Sequence, residues 1–174
     1  MRRELRTLIN HTELIDEYEL NSTVELCHGV VQSHWRATHE RFDLGDEENH
    51  EYNEALSDQN FRTASEIQCV WQLGLWRLIA LFEGLMSQWF PDLATRGLTQ
   101  KLNYLRTNYG IPTDLERRML TEWLSLRNAF SHRPARAPSL DHQLIRKDLE
   151  ELANLMRTVL DGLRPHAVGQ VSGK

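Results

Sequence analysis

The chain has 174 residues and a net charge of −5, with 40% hydrophobic and 26% charged residues. This composition is typical of a folded globular domain and excludes a wholly disordered or fibrous chain. The length corresponds to one ordinary domain. We therefore expect a single unit over residues 1–166, followed by a flexible C-terminal tail over 167–174.

The apolar stretches are short. The charge-free apolar runs 67–76 and 78–82 fall well below the roughly 18 apolar residues that a membrane span needs. Polar and acidic side chains interrupt the N-terminal residues, which argues against a secretory signal. We expect a cytoplasmic protein with no membrane partner. Cys27 and Cys69 lie in no Cys-x-x-Cys pair, so both are predicted to be reduced, buried packing residues.

Charge is distributed unevenly along the chain. Residues 1–87 contain 7 Lys and Arg against 16 Asp and Glu, whereas 88–174 contain 13 against 9. Segment 96–136 alone carries a charge of +5. Nearly all of its cations are arginines, whose planar fork matches phosphate geometry. Charge alone is equally compatible with a solvated surface.

The first half of the chain predicts two long helices. Apolar positions recur at helical spacing over about 12–41, with a break allowed at Asn21–Ser22. An exposed acidic connection is predicted over about 43–58, where acids are frequent and Lys and Arg are absent. The next helix, from residue 57 or 58 to Phe90, is apolar on most sides, which is typical of the centre of a bundle.

The second half predicts shorter helices. One spans about 98–108. Thr113 and Glu116 then have the spacing of a capping box, in which the threonine oxygen accepts an amide hydrogen bond and the glutamate reaches back to the cap. The helix that begins there should end near His132, because Pro134 disfavours helical geometry at the residue before it.

The last predicted element is an amphipathic helix that Ser139 caps and that runs through Leu163. No segment has the alternation of a β-strand. The predicted fold is therefore all-α, an up-and-down four-helix bundle with one or two short additional helices.

A group of polar residues ends the helix predicted before Pro134. Arg127, Asn128 and His132 lie within about 140° of arc at 100° per residue. An arginine can neutralise a phosphate while a histidine moves a proton near pH 7, and the negative end of a helix favours protonated histidine. The three residues therefore indicate a phosphate site. A plain polar helix end, with His132 acting as a cap, is an alternative that the spacing leaves open.

Other candidate sites are weaker. The spacing of His28, His34 and His39 cannot present a zinc site on one helical face, so we expect no metal and no cofactor. Glu83 lies in the most apolar helix, where an unpaired carboxylate is costly. It is predicted to be a structural or supporting residue that pairs with Arg77 or a motif arginine, rather than a catalytic one. The tryptophans, at helical core spacing, are interpreted as core or dimer-interface residues: Trp35, Trp71, Trp76, Trp89 and Trp123.

The string Leu-Arg-Asn-Ala-Phe-Ser-His over 126–132 resembles the signature of HEPN domains, an arginine and a polar residue followed after a short spacer by a histidine. HEPN domains are all-α bundles. The surrounding pattern is also similar, since a long helix with a Phe-Glu pair at 82–83 precedes the motif and an amphipathic helix follows it. The resemblance covers about 57–163 in pattern but only six residues in identity.

The resemblance implies a metal-independent endoribonuclease that cleaves RNA across a homodimer, often with an antitoxin or a defence-system partner in toxin-antitoxin or phage-defence systems. His132 would be the acid and base, Arg127 would stabilise phosphoryl charge, and Asn128 would orient either residue or the substrate. The basic segment would guide the RNA. The substrate-binding candidates are Arg117, Arg118, Arg133 and Arg136.

The sequence departs from the family pattern directly after the histidine, which argues against one subclass of HEPN toxins. Arg133 and Pro134 follow the histidine, so the tyrosine of HEPN toxins that pair with small nucleotidyltransferase antitoxins is absent. The alternative function is a catalytically inactive HEPN-like module that binds RNA, a nucleotide or a protein partner. An unrelated helical-bundle interaction protein is the third possibility.

Overall fold

The computed structural model of the chain describes residues 16–42, 50–132 and 143–171. Over these ranges the chain forms five α-helices and no strand, which confirms the predicted all-α bundle. A 3₁₀ turn, Pro91–Leu93, lies between the second and third helices. The helices are α1 (Tyr18–Phe42), α2 (His50–Trp89), α3 (Leu98–Tyr109), α4 (Asp114–His132) and α5 (Arg146–Val171).

The bundle is built around α2. Helices α1, α4 and α5 all pack against it, and α5 also contacts α1 and α4. On the core side of α2, Leu75, Leu78 and Phe82 are completely buried. Burying a side chain of this size contributes about 1.5–3 kcal/mol. The four long helices therefore enclose one core, and α3 is the short additional helix.

The start of α2 differs from the prediction. The helix begins at His50, so the part of the acidic connection over 50–58 is helical. Residues 53–55 within it are exposed. Glutamate and alanine are good helix formers, so an acid-rich sequence does not prevent a helix whose acids face solvent. The rest of the predicted connection, 43–49, lies outside the described residues.

Helix α1 is continuous through the pair where the sequence allowed a break. The Ser22 hydroxyl donates a hydrogen bond to the Tyr18 carbonyl, 3.1 Å away, inside the helix. This side-chain bond to the preceding turn lets a serine remain within a helix without ending it.

The predicted capping box at the start of α4 is confirmed. The Thr113 amide donates to Glu116 Oε2 at 2.7 Å, and the Glu116 amide donates to Thr113 Oγ1 at 3.3 Å. Each side chain therefore satisfies an amide that the first turn of a helix leaves without a partner. The described part of the helix runs to His132, the position near which Pro134 predicts its end.

Helix α5 begins later than predicted. Leu144 precedes the helix, and both of its backbone groups bond to the buried Gln68 amide on α2 at 2.9 Å. The Ile145 amide donates to Asp148 Oδ2 at 2.8 Å, which marks the start of the helix. The helix continues to Val171, past Leu163. The predicted cap, Ser139, and the last three residues of the predicted tail lie outside the described residues.

The two cysteines have different environments. Cys27 is buried in the core, where burial raises the pKa of its thiol and the positive charge of Arg77 partly opposes that shift. Cys69 is exposed, so the prediction that it is a packing residue is wrong. Residue 69 lies on the face of α2 that points away from the core. Apolar residues occur on most sides of this helix, so helical spacing alone did not show that this face is exposed.

One segment of α2, Asn53–Trp89, is long and apolar enough by length and composition to cross a membrane. Half of its most apolar window is buried inside the bundle. The central helix of a helical bundle has the same apolar character, because it is covered on several sides.

Candidate functional site

The three residues of the sequence motif lie at the C-terminal end of α4. Arg127 is half-buried, whereas Asn128 is exposed. Consecutive residues of a helix point about 100° apart. Arg127 therefore lies on the side of α4 that packs against the bundle, and Asn128 faces solvent.

The guanidinium of Arg127 is stacked on the indole of Trp76 in α2, with its central carbon 5.2 Å from the ring centroid. Trp76 is 43% exposed, so the stack lies at the surface. The Arg127 Nε is buried without a hydrogen-bond partner, and no carboxylate among the described residues pairs with this side chain. The stack thus holds a positive charge in place without neutralising it.

The other two motif residues make no comparable contact in the described structure. Asn128 forms no hydrogen bond with Arg127 in the described structure, so of its predicted roles only the orientation of His132 or of the substrate remains a prediction. His132 is the last residue of α4, and its side chain lies outside the described part of the chain.

The predicted substrate-binding arginines fall into different environments. Arg117 lies 3.9 Å from Asp114, a carboxylate that Arg106 also contacts at 2.6 Å. Arg118 is exposed and pairs with no carboxylate of the described residues. Arg133 and Arg136 lie outside the described residues. Part of the positive charge in segment 96–136 is therefore neutralised locally.

Glu83 has a structural partner that the sequence analysis missed. Its Oε1 lies 3.3 Å from Lys101 Nζ, and this lysine is only 1% exposed. Lys101 also donates to Ser87 Oγ at 2.7 Å. Glu83 is therefore paired, but the predicted partners, Arg77 or a motif arginine, are wrong, because the partner is Lys101. Arg77 bonds to Glu19 and Thr23 on α1 instead.

The Arg127–Trp76 stack and the Lys101–Glu83 ion pair lie on the same side of α2. Trp76 and Glu83 are seven residues apart, which turns a helix through about 700° and advances it by about 10 Å. Helix α4 therefore meets α2 at Trp76, and α3 meets the same side about two turns further on at Glu83. No sequence pattern links these pairs, because each joins residues from separate helices.

An apolar stripe is exposed beside the Arg127 stack. Cys69, Leu73, Trp76 and Ala80 recur at spacings of four and three along α2 and are all exposed, Leu73 by 69%. Such spacing places them along one face of the helix. Trp76 is therefore a surface residue rather than a core residue, and the interpretation of Trp71 as a core residue is confirmed. Within the described ranges, no cluster of three or more His, Cys, Asp or Glu could hold a metal ion.

Comparison with known proteins gives no match: no family model fits this chain, and no curated protein or solved structure is similar to it. The all-α fold is therefore described from the structure alone. The functional assignment depends on the motif of α4 and on the contacts that surround it.

Proposed function

We propose that this chain is a metal-independent endoribonuclease of HEPN type whose site lies at the C-terminal end of α4. The single observation that carries the proposal is the Arg127 guanidinium of the motif helix, which is stacked on Trp76 of α2 and which no carboxylate of the described residues pairs. A preorganised cation is what stabilises charge that develops on a phosphoryl group.

The proposed reaction needs only groups of the chain and the RNA. His132 accepts the proton of a ribose 2′-hydroxyl, whose oxygen then attacks the adjacent phosphorus. Arg127 stabilises the negative charge on the phosphoryl oxygens, and Asn128 contributes a hydrogen bond to the substrate. The bond to the 5′-oxygen breaks, and that oxygen takes the proton that His132 now carries, which gives a 5′-hydroxyl and a 2′,3′-cyclic phosphate and restores the neutral imidazole.

A homodimer belongs to this proposal because a site of one arginine and one histidine supplies few groups. The exposed stripe of Cys69, Leu73, Trp76 and Ala80 continues from the Arg127 stack. A second copy covering it would bring two motifs into one cleft and remove apolar surface from water. We place the enzyme in the cytoplasm, in a toxin-antitoxin or phage-defence setting.

The test is cleavage of a mixed pool of transfer, messenger and ribosomal RNA by the purified protein in excess EDTA. The wild type and the Arg36→Ala control, which changes an exposed arginine of α1, should cleave and leave cyclic phosphate ends. Arg127→Ala and His132→Ala should lose cleavage while they retain the helical content and oligomeric state of the wild type. Equal cleavage by all four proteins would reject the assignment of the site.

The second candidate function is a catalytically inactive module that binds a protein partner. The observation in its favour is the exposed apolar surface, which includes Leu26 and Val30 of α1 as well as Leu73 of α2. Exposed apolar patches mark interaction surfaces. A monomeric protein that neither binds nor cleaves RNA would favour this function over the nuclease.

A further inference from the structure

Helix α3 presents a surface with an unusual composition. The chain contains 25 Asp and Glu residues, yet none lies between Asp92 and Asp114. All of α3 falls in this interval. A polar surface without carboxylates does not repel a polyanion.

The outer side of α3 forms a shallow groove of about 500 Å³. Its lining residues are Arg96, Gln100, Asn103, Tyr104, Thr107 and Asn108, whose amides and hydroxyls can both donate and accept hydrogen bonds. Amide, hydroxyl and guanidinium groups in one groove match the phosphates, riboses and base edges of a nucleic acid.

Arg96 is the cation of this groove. Its guanidinium lies over the Tyr104 ring, 5.0 Å from the centroid, and it pairs with no carboxylate of the described residues. Tyr104 packs partly against the core. The ring therefore holds the guanidinium plane in position while the outer plane and the N–H edges of the exposed arginine remain open to a ligand.

The neighbouring depression at the end of α3 has a different character. It is lined by Arg106, Thr107, Gly110, Thr113 and Asp114. The Asp114 carboxylate lies within 2.6 Å of Arg106 and neutralises it. Lys101 is buried against Glu83. Arg96, which precedes α3, is thus the cation of this surface that no carboxylate of the described residues neutralises.

The position of α3 connects the groove to the proposed nuclease site. Along α2, Glu83, which the Lys101 contact joins to α3, lies about 10 Å from Trp76, on which Arg127 is stacked. Helices α3 and α4 are thus attached to neighbouring turns of α2.

We propose that the α3 groove binds a single-stranded RNA segment that flanks the cleavage position. Arg96 binds a phosphate through its N–H edge, and a base stacks on the outer plane of the guanidinium. The Gln100 and Asn103 amides bond to base edges or ribose. This inference rests on the proposed function for its substrate class, but the groove and the α4 site make separate contacts and can be tested separately.

The test measures binding of a labelled 12-nucleotide 2′-O-methyl RNA, which lacks the attacking hydroxyl, by fluorescence anisotropy at several salt concentrations. Arg96→Ala should raise Kd about tenfold, because stacking of a base and one phosphate contact are both lost. The slope of log Kd against log salt should fall by about one. Arg96→Lys should give an intermediate Kd, since it retains the charge but not the plane, and Arg36→Ala should bind as the wild type does.

The outcomes separate the groove from the nuclease site. Arg96→Ala should cleave a dinucleotide, which is too short to reach α3, at the wild-type rate. RNA binding that depends on Arg96, without cleavage of any RNA, would support the groove and reject the proposed nuclease. Unchanged RNA binding in Arg96→Ala would overturn the groove, and so would equal affinity for heparin or duplex RNA, which would indicate a general polyanion surface.

Discussion

Two positively charged side chains contact the same side of α2, but they differ in burial and in whether a carboxylate pairs with them. Lys101 is enclosed, and the Glu83 carboxylate and the Ser87 hydroxyl accept its hydrogen bonds. Arg127 lies at the surface on Trp76, and no carboxylate of the described chain neutralises it. The paired cation attaches α3 to the bundle, whereas Arg127, which no described carboxylate pairs, is the cation that we propose acts on a phosphate. The following predictions test this division between stability and function.

The largest effect is expected at Arg127. Arg127→Ala should lower the rate of RNA cleavage by about 10²–10³-fold, the usual cost of removing one preorganised donor from a developing negative charge. The free energy of unfolding should fall by only about 1 kcal/mol, the value of an exposed cation–π contact. Kinetics on one RNA substrate and urea unfolding measure the two effects. A stability loss of several kcal/mol with unchanged cleavage would show that Arg127 serves stability and not cleavage.

Glu83→Ala should mainly affect stability. Removing the carboxylate leaves the buried Lys101 ammonium with fewer partners, so the free energy of unfolding should fall by about 2–3 kcal/mol. The matched control is Glu66→Ala, which removes an exposed carboxylate of the same helix that contacts His34 and should cost less than about 1 kcal/mol. Equal losses in urea unfolding would show that Lys101 needs no partner.

A double substitution tests whether the pairing of Glu83 with Lys101 is what stabilises the contact of α3 with α2. Lys101→Met combined with Glu83→Leu removes both charges together, so it should recover most of the stability that Glu83→Ala loses. A double variant as unstable as Glu83→Ala would show that the packing of the side chains, and not their pairing, holds α3 on α2.

Trp76 should have a smaller, functional effect. Trp76→Leu removes the ring that positions Arg127, so cleavage should slow about two- to fivefold, as expected from about 0.5–1 kcal/mol of cation–π energy. Trp76→Tyr retains an aromatic face and should cleave close to the wild-type rate. The positioning role would be disproved if the leucine and tyrosine variants cleaved equally well.

The smallest effect on cleavage is expected at the other end of α4. Thr113→Ala removes the cap that bonds the Glu116 amide, and the free energy of unfolding should fall by about 1 kcal/mol. Thr99→Ala, a change at an exposed residue of α3, is the control and should have an effect below about 0.5 kcal/mol. Cleavage at 25 °C should be unchanged in both, because stability at this end of α4 is separate from the chemistry at the other.

Local signals in the sequence were sufficient for the fold class and for α4. The capping box acts within a few residues, so the start of α4 could be predicted. The start of α2 at His50 was missed because a high content of acids was interpreted as a connection. Whether such acids face solvent along a helix depends on packing elsewhere in the chain.

The candidate site was only partly predictable for a related reason. The Arg-Asn-x-x-x-His spacing identified the helix end, since residues of one helix have a fixed relation to each other. The partners of these residues come from other helices: Trp76 for Arg127, and Lys101 for Glu83. Contacts between separate helices depend on packing, which has no period in a single sequence.

The most direct test of the central claim compares RNA cleavage in excess EDTA by the wild type, Arg127→Ala and Arg36→Ala, with the stability of each measured alongside. The account predicts that the wild type and Arg36→Ala cleave, and that Arg127→Ala is folded, nearly as stable and inactive. Cleavage by Arg127→Ala at the wild-type rate would contradict the claim that the unpaired arginine on Trp76 is the functional cation.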